Sequence, residues 1–185
     1  MYPEYAEING KEYKIDTSYR TALRCFEIIN DEEIPQTERS LAIVYLLFDF
    51  LPDKDIDLFL EKAMIYLQCG ESLEQQNSKK KDMDFSQDQK YINSSFMSDY
   101  HIDLSKTDLH FWQYIELIQG LTENSSLSRI RNLRNYDLSE IKDEKTRKEI
   151  ADAQKEVALK EIKISKKITT KQKTNIDAFY EANNI

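Results

Sequence analysis

The feature that most limits the fold of this chain is its shortage of turn-forming residues. Only three glycines and three prolines occur in 185 residues. Sheet proteins reverse direction often, and their tight turns depend on these two residue types. A chain with so few of them favours helices joined by few turns. We therefore predict a mainly α fold, and the length suits one multi-helix domain with a substantial core.

Residues 107–121, TDLHFWQYIELIQGL, form the most distinctive segment. On an ideal helix they are apolar on nearly every side, with only a narrow polar strip, and such a helix is normally buried. Ser105 and Asp108 resemble a capping box at its start, and Gly120 lies where the last turn would finish. We interpret the aromatic residues of this segment as core and not as a binding site.

Shorter patterns predict the N-terminal elements. Asn9-Gly10 separates two alternating runs and predicts a small β-hairpin, because this dipeptide favours the positive φ angles of a two-residue turn. Residues 16–18 offer caps for a first helix. A buried helix is expected over residues 35–51, ended by Pro52, and a further helix over about residues 56–69.

The C-terminal half is expected to be helical as well. Asp84 is a candidate cap for a helix that reaches Tyr100, and a short helix follows the aromatic one. Residues 139–164 are rich in Glu, Lys and Ala and predict a long charged helix. Residues 165–174 contain four lysines and no acid, and predict a mobile segment.

These patterns divide the chain into three parts. Residues 1–136 are predicted to form a globular helical domain with the hairpin at its start. Residues 137–164 form a long charged helix that packs on this domain or extends from it. Residues 165–185 form a mobile basic tail that ends in a short apolar segment.

Charge and composition disfavour several classes of protein. The formal net charge is −8, and the residues before 137 carry 15 basic and 24 acidic groups, so the body repels nucleic acid phosphates. No apolar run approaches the roughly 20 residues that span a bilayer. The two cysteines have no second pair, and no signal segment precedes them, so we expect reduced thiols in a cytoplasm.

We find no pattern of residues that predicts catalysis, a cofactor or a metal site. Asp53, Asp55 and Asp57 alternate as at the start of a calcium loop, but the glycine and the final glutamate of that loop are missing. We interpret these acids as caps of the next helix. His101 and His110 lack nearby cysteines, and neither a phosphate loop nor a nucleophile elbow is present. The protein is therefore not expected to be an enzyme.

A set of apolar, aromatic and acidic residues stands out between residues 84 and 121, and we call them the signature positions. They are Asp84, Phe85, Asp88, Tyr91, Ile92, Phe96, Tyr100, Ile102, Asp103, Leu104, Leu109, His110, Trp112, Leu117, Gly120 and Leu121. In this order they resemble the family named for phage gene product fifteen, found in siphophages and prophages of Gram-positive bacteria. Weaker similarity covers about residues 8–150. Phe111 stands where a second Trp is usual, and His101 where Gly is common.

The resemblance implies a role in phage tail morphogenesis. Genes of this family typically lie between those for the major tail protein and the tape measure protein, the position of tail assembly chaperones. It thus implies a non-catalytic chaperone that binds the tape measure protein before tail-tube polymerisation, acts in the host cytoplasm and is absent from the finished virion. The alternative is a structural minor tail or connector protein that the virion retains. We expect the signature positions to define the fold.

Two regions are candidate partner-binding surfaces. One is a weak apolar stripe on the charged helix and the other is the apolar end of the tail, which either forms a tethered contact with a client or neighbouring subunit or is simply frayed. The residues are Ile150, Val157 and Ile164 in the stripe and Ile176, Phe179 and Tyr180 in the tail. Because several copies are needed to coat a long client, self-association into open oligomers is expected. Contact with the tail-tube protein is also expected, at the step where tail-tube subunits replace the chaperone on the client.

Overall fold

The computed structural model describes residues 1–70 and 82–160 and is mainly helical, with an N-terminal antiparallel hairpin. The predicted fold class is confirmed. In chain order the described elements are β1 (Tyr5–Ile8), β2 (Lys11–Lys14), α1 (Tyr19–Asn30), α2 (Gln36–Phe48), α3 (Ile56–Leu67), α4 (Gln89–Tyr100), α5 (Phe111–Gln119), α6 (Ser126–Asn135) and α7 (Glu144–Val157). Within these ranges no helix is both long and apolar enough to cross a bilayer.

The described residues pack as two compact units. The first unit holds residues 1–70 and 109–112, and the second holds residues 82–108 and 113–160. The chain passes from the first unit to the second inside α5. The sequence-based division at residues 136 and 164 stays a prediction, and its basic tail lies outside the described residues.

The hairpin and the start of α1 follow their local sequence. Asn9 and Gly10 have φ angles of 51° and 73°, so both adopt the left-handed conformation that a two-residue turn between antiparallel strands requires. Ala6 and Ile8 alternate with exposed residues and are buried. The Ser18 hydroxyl accepts a hydrogen bond from the N–H of Arg20, which confirms the predicted cap of α1.

The predicted end of α2 is wrong. The helix ends at Phe48 and does not continue to Leu51, because Asp49 adopts a left-handed φ of 60° and donates its N–H to the carbonyl of Tyr45. Phe50 and Leu51 therefore lie in the connection to α3 and are exposed instead of buried. The local chain reversal at Asp49, and not Pro52, ends the helix.

The sequence predicts that aspartate side chains cap α3. This prediction is wrong for Asp55, the residue that occupies the cap position. Asp55 precedes the helix with a φ of 62°, and its side chain makes no cap hydrogen bond. Its carboxylate instead accepts a hydrogen bond from Asn9 Nδ2 at 3.1 Å. The carboxylate therefore ties the start of α3 to the hairpin turn within the first unit.

Two helices begin later than the sequence predicts. Asp84 caps a turn and not α4, because its carboxylate accepts the N–H groups of Ser86 and Gln87, and α4 begins only at Gln89. Ser105 is likewise not the cap of α5. Its N–H and hydroxyl donate to Asp103, which closes a separate turn, and α5 begins at Phe111.

The charged helix is shorter than predicted. The Asp143 carboxylate accepts hydrogen bonds from the N–H and hydroxyl of Thr146, so it caps α7 there and the helix ends at Val157. Residues 138–140 form a separate 3₁₀ turn. The helix predicted from residue 139 therefore starts five residues late, and residues 161–164 lie outside the described part.

Candidate interaction surface

Two of the acidic signature positions, Asp84 and Asp88, belong to a buried ion-pair network in the second unit. Asp88 is completely buried, and its two carboxylate oxygens each accept a hydrogen bond from the Arg134 guanidinium at 2.7 Å. The N–H of Asp84 also donates to Asp88 at 3.0 Å. Arg134 further donates to the carbonyls of Val157 at 2.6 Å and Asp82 at 2.9 Å. The network thus joins the start of α4 to the ends of α6 and α7.

This arrangement leaves Asp88 fully occupied by partners from its own chain. The hydrogen bonds from Arg134 to Asp88 raise the pKa of the guanidinium, although burial acts in the opposite direction. A bidentate pair of this kind is rigid and specific in geometry. We therefore assign Asp88 and Arg134 a structural role.

His110 and Trp112 also make internal hydrogen bonds, in the first unit. The N–H of Trp112 donates to Nδ1 of His110, so the ring proton lies on Nε2, which donates to the carbonyl of Pro3 at 3.0 Å. The Trp112 indole N–H donates to the carbonyl of Tyr66 at 2.9 Å, near the end of α3. Both side chains therefore connect the start of α5 by hydrogen bonds to chain segments that are distant in sequence.

The remaining signature positions lie in the cores or at their edges. The buried ones are Ile92, Phe96, Leu104 and Leu109, and the half-buried ones include Phe85, Tyr91, Tyr100, Leu117 and Leu121. Tyr100 donates its hydroxyl to the carbonyl of Leu117 at 2.8 Å. A Cβ at Gly120 would lie only 3.0 Å from that hydroxyl, so a larger residue there would displace it. Leu109, His110 and Trp112 belong to the first unit and the others to the second.

Exposed apolar side chains are concentrated in the first unit. Nine large hydrophobic residues of the described ranges are exposed, and seven of them lie there. The seven are Met1, Tyr5, Tyr45, Phe50, Leu51, Leu58 and Ile65, whereas Met97 and Tyr136 lie in the second unit. The first unit carries 14 acidic and 7 basic side chains, a formal charge of −7. Its surface is therefore acidic and carries most of the exposed large apolar side chains among the described residues.

Helix α3 presents the clearest candidate surface. Only three of its twelve residues are charged, and one side is buried through Phe59, Ala63 and Tyr66. Leu58 and Ile65, seven residues apart and thus aligned along the helix, are 37% and 42% exposed. Exposed Asp57 and Glu61 and half-buried Lys62 flank them. We call these five residues the outer face of α3.

The outer face of α3 has the character of an interaction surface. A helix that is apolar nearly all round is normally buried on every side. Here one apolar side faces solvent within the first unit, and apolar stripes with a charged border mark sites where proteins bind one another. The sequence carried this signal in the near-continuous apolar run of residues 56–67, but periodicity alone does not say which side is covered.

Comparison with known proteins identifies the family. The family model described as Bacteriophage Gp15 protein matches residues 2–159. The chain belongs to this family. The match covers both compact units and confirms the resemblance carried by the signature positions. Comparisons with curated proteins and with solved structures gave no match.

In this Gp15-family chain, the predicted partner-binding stripe lies on the side of α7 that packs on α6. Ile150 and Val157 are half-buried. Between them, Gln154 donates to the carbonyls of Leu133 and Tyr136 at the end of α6, both at 2.9 Å. As a partner surface the stripe stays a prediction. Its last residue, Ile164, and the predicted tail contact of Ile176, Phe179 and Tyr180 lie outside the described residues.

The candidate metal ligands do not come together in the part of the chain that the structure describes. No three side chains of His, Cys, Asp or Glu form a group there that could hold a metal ion. His101 is exposed at the left-handed end of α4, and His110 belongs to the first unit. No catalytic or cofactor role follows from their positions.

Proposed function

We propose that this phage Gp15-family protein is a non-catalytic tail assembly chaperone that binds the tape measure protein before tail-tube subunits polymerise around it. Membership of the family supports a phage function, and the gene order that the resemblance implies supports the tail. The observation that carries the proposal is the outer face of α3. A chaperone needs an exposed apolar surface, and this face supplies one on a described helix.

The chemistry of this face matches that of an amphipathic helical client. A tape measure protein offers long helices with apolar stripes, which aggregate when exposed, and a helix can lay such a stripe against apolar anchors. Leu58 and Ile65 would be the anchors. Asp57 and Glu61 would pair with basic residues beside the client stripe, and Lys62 would pair with an acidic one.

The size of the face indicates weak binding by each copy. Covering the exposed parts of Leu58 and Ile65 is worth roughly 3 kcal/mol at about 25 cal/mol per Å². Even before the cost of association is subtracted, this is weaker than a millimolar affinity. Several copies must therefore bind one client together, and their summed binding makes coating of a long helix stable. Open self-association along the client is part of the proposal.

The proposal is tested by co-expression with the long coiled-coil protein encoded downstream. The double variant Leu58→Ser with Ile65→Ser should lower the soluble, co-purifying client at least tenfold. The matched control is Met97→Ser, since Met97 is also apolar, helical and 46% exposed but lies in the second unit. More than half of Leu58 and Ile65 is buried, so the double variant should also lower the free energy of unfolding by about 1 to 3 kcal/mol, and client binding is compared at a temperature where every variant is folded.

Two results would contradict the chaperone role. In the first, the client stays insoluble although this protein is abundant and folded. In the second, mass spectrometry finds the protein as a stoichiometric component of purified virions, which supports a retained minor tail or connector protein. A chaperone should be present in the lysate, should leave when tail-tube subunits assemble, and should be absent from finished particles.

A further inference from the structure

The tip of the hairpin carries a dipeptide that is chemically labile when it is exposed. Asn9 is followed by Gly10, and both residues face solvent. A Cβ built at Gly10 would meet no atom within 4 Å, so the space around the turn is open. Among the described residues no carbonyl accepts the N–H of Gly10. The backbone nitrogen of Gly10 is therefore available to react with the side-chain amide that precedes it.

We propose that Asn9 is a site of spontaneous deamidation, and that the product releases the hairpin turn from the start of α3. The Gly10 nitrogen attacks Cγ of Asn9 and closes a succinimide ring. The bond from Cγ to Nδ2 breaks, and the amide group leaves with the Gly10 proton as ammonia. Water then opens the ring at either carbonyl, which gives aspartate or isoaspartate at position 9. Water is the only other reactant, and nothing is oxidised or reduced.

The turn has the conformational freedom that ring closure requires. The peptide group between Asn9 and Gly10 must rotate until its nitrogen faces Cγ of Asn9. Gly10 permits this rotation, because it lacks a Cβ and adopts both signs of φ readily. The sheet formed by the described residues consists of the two hairpin strands alone. A two-stranded hairpin contributes little stability of its own, so local opening of its turn gives access to the reactive geometry.

Asn124 shows by contrast what protects an asparagine. It is also exposed and lies outside the helices, but its C-terminal neighbour is Ser125. The N–H of Ser125 donates to the carbonyl of Thr122 at 3.1 Å, and Ser125 is only 2% exposed. A hydrogen bond therefore holds this nitrogen, and the serine side chain crowds ring closure. Both asparagines face water, and they differ in the nitrogen that would attack.

Deamidation converts an attraction at the hairpin turn into a repulsion. Asn9 Nδ2 donates to the Asp55 carboxylate at 3.1 Å. Aspartate at position 9 has no side-chain N–H, so this hydrogen bond is lost and two carboxylates face each other. Isoaspartate also adds one atom to the main chain and disrupts the two-residue turn. The carbonyl of Asp55 accepts the N–H groups of Leu58 and Phe59, so displacement of Asp55 loosens the first turn of α3.

Peptide mass spectrometry of the full chain, incubated in neutral and in mildly alkaline buffer, tests the modification. The Asn9 peptide should gain the mass that marks replacement of an amide by an acid, with both aspartate and isoaspartate among the products. The rate should be at least about tenfold above that at Asn124, because only Gly10 offers an uncrowded nitrogen. Gly10→Ala should slow the reaction severalfold. Equal rates at Asn9 and Asn124 overturn the proposal.

Hydrogen exchange tests the consequence for α3. Asn9→Asp should raise exchange at the N–H groups of Leu58 and Phe59 by about threefold or more, because two like charges replace a hydrogen bond. Asn9→Asp combined with Asp55→Asn exchanges donor and acceptor, and should restore the original rate. Unchanged exchange in the single variant, or no rescue in the double variant, overturns the release of the turn. No client is present in either experiment, so these failures leave the proposed chaperone function standing.

Discussion

Replacing Asp88 by asparagine should be the most destabilising conservative change in the second unit. The carboxylate of Asp88 accepts two hydrogen bonds from Arg134 and one from the N–H of Asp84, all at 3.0 Å or less. Asparagine is nearly the same size, so packing is retained. Its amide nitrogen, however, is a donor, and at either oxygen position it would face an N–H group of Arg134 where the carboxylate accepts a hydrogen bond.

The magnitude follows from burial. The Asp88 side chain is 1% exposed and the Arg134 side chain 10%, so water cannot replace the lost bonds. Removing one partner of such a pair typically costs about 3 to 5 kcal/mol, because the other charge stays buried and unpaired. Natural proteins have only about 5 to 15 kcal/mol of stability. For a chain of this size the melting temperature should fall by about 6 to 20 °C.

Urea unfolding at pH 7, followed by circular dichroism, measures this change. The matched control is Asp152→Asn, which removes a carboxylate from a surface ion pair with Lys155 that is 55% and 78% exposed. Such a pair contributes little to stability, because both side chains face water. A loss below about 1 kcal/mol for Asp88→Asn, or one equal to that of the control, would refute the structural role of the network.

Three further changes test other contacts. Gly10→Ala should cost about 1 to 2 kcal/mol in urea unfolding, because Gly10 has a φ of 73° and a Cβ there meets no other atom, so backbone strain acts alone. Trp112→Phe should cost about 1 kcal/mol through the lost hydrogen bond to Tyr66, and Trp112→Ala about 3 kcal/mol, both measured by circular dichroism. Hydrogen bonds from the Ser105 side chain first, and then from Lys106, lower the pKa of Asp103 to about 2. This carboxylate stabilises the fold when ionised, so its contribution is complete above about pH 4 and is lost as the pH falls to 2, and Asp103→Asn should flatten the measured stability over that range.

Local sequence predicted the elements whose causes are local. The hairpin depends on Asn9 and Gly10, which are adjacent, and the start of α1 depends on Ser18 and Arg20, two residues apart. The start of α5 was missed because its first N–H groups are not capped by the preceding residues alone. The N–H of Phe111 donates to the carbonyl of Thr17, more than ninety residues earlier. No pattern within a few residues contains that partner.

The candidate surface was missed for a different physical reason. The periodic spacing of apolar residues along a helix shows which side chains could be buried. Burial also needs a second element of structure that covers them. Leu58 and Ile65 lie on a largely apolar helix, and only the packed structure shows that both are exposed on the side that carries its charged residues. The ion pair of Asp88 and Arg134, 46 residues apart, was likewise not predicted, because only Asp88 is a signature position and its partner lies outside that stretch.

The charge of the first unit acts on contacts between copies of the protein. Its formal charge of −7 makes first units of different copies repel one another, and this repulsion opposes contact between their apolar faces. Under the proposed chaperone role, the acidic first unit would favour a client with a net basic surface over an identical copy. On this basis the copies should gather along a client that brings them together, and not in free solution.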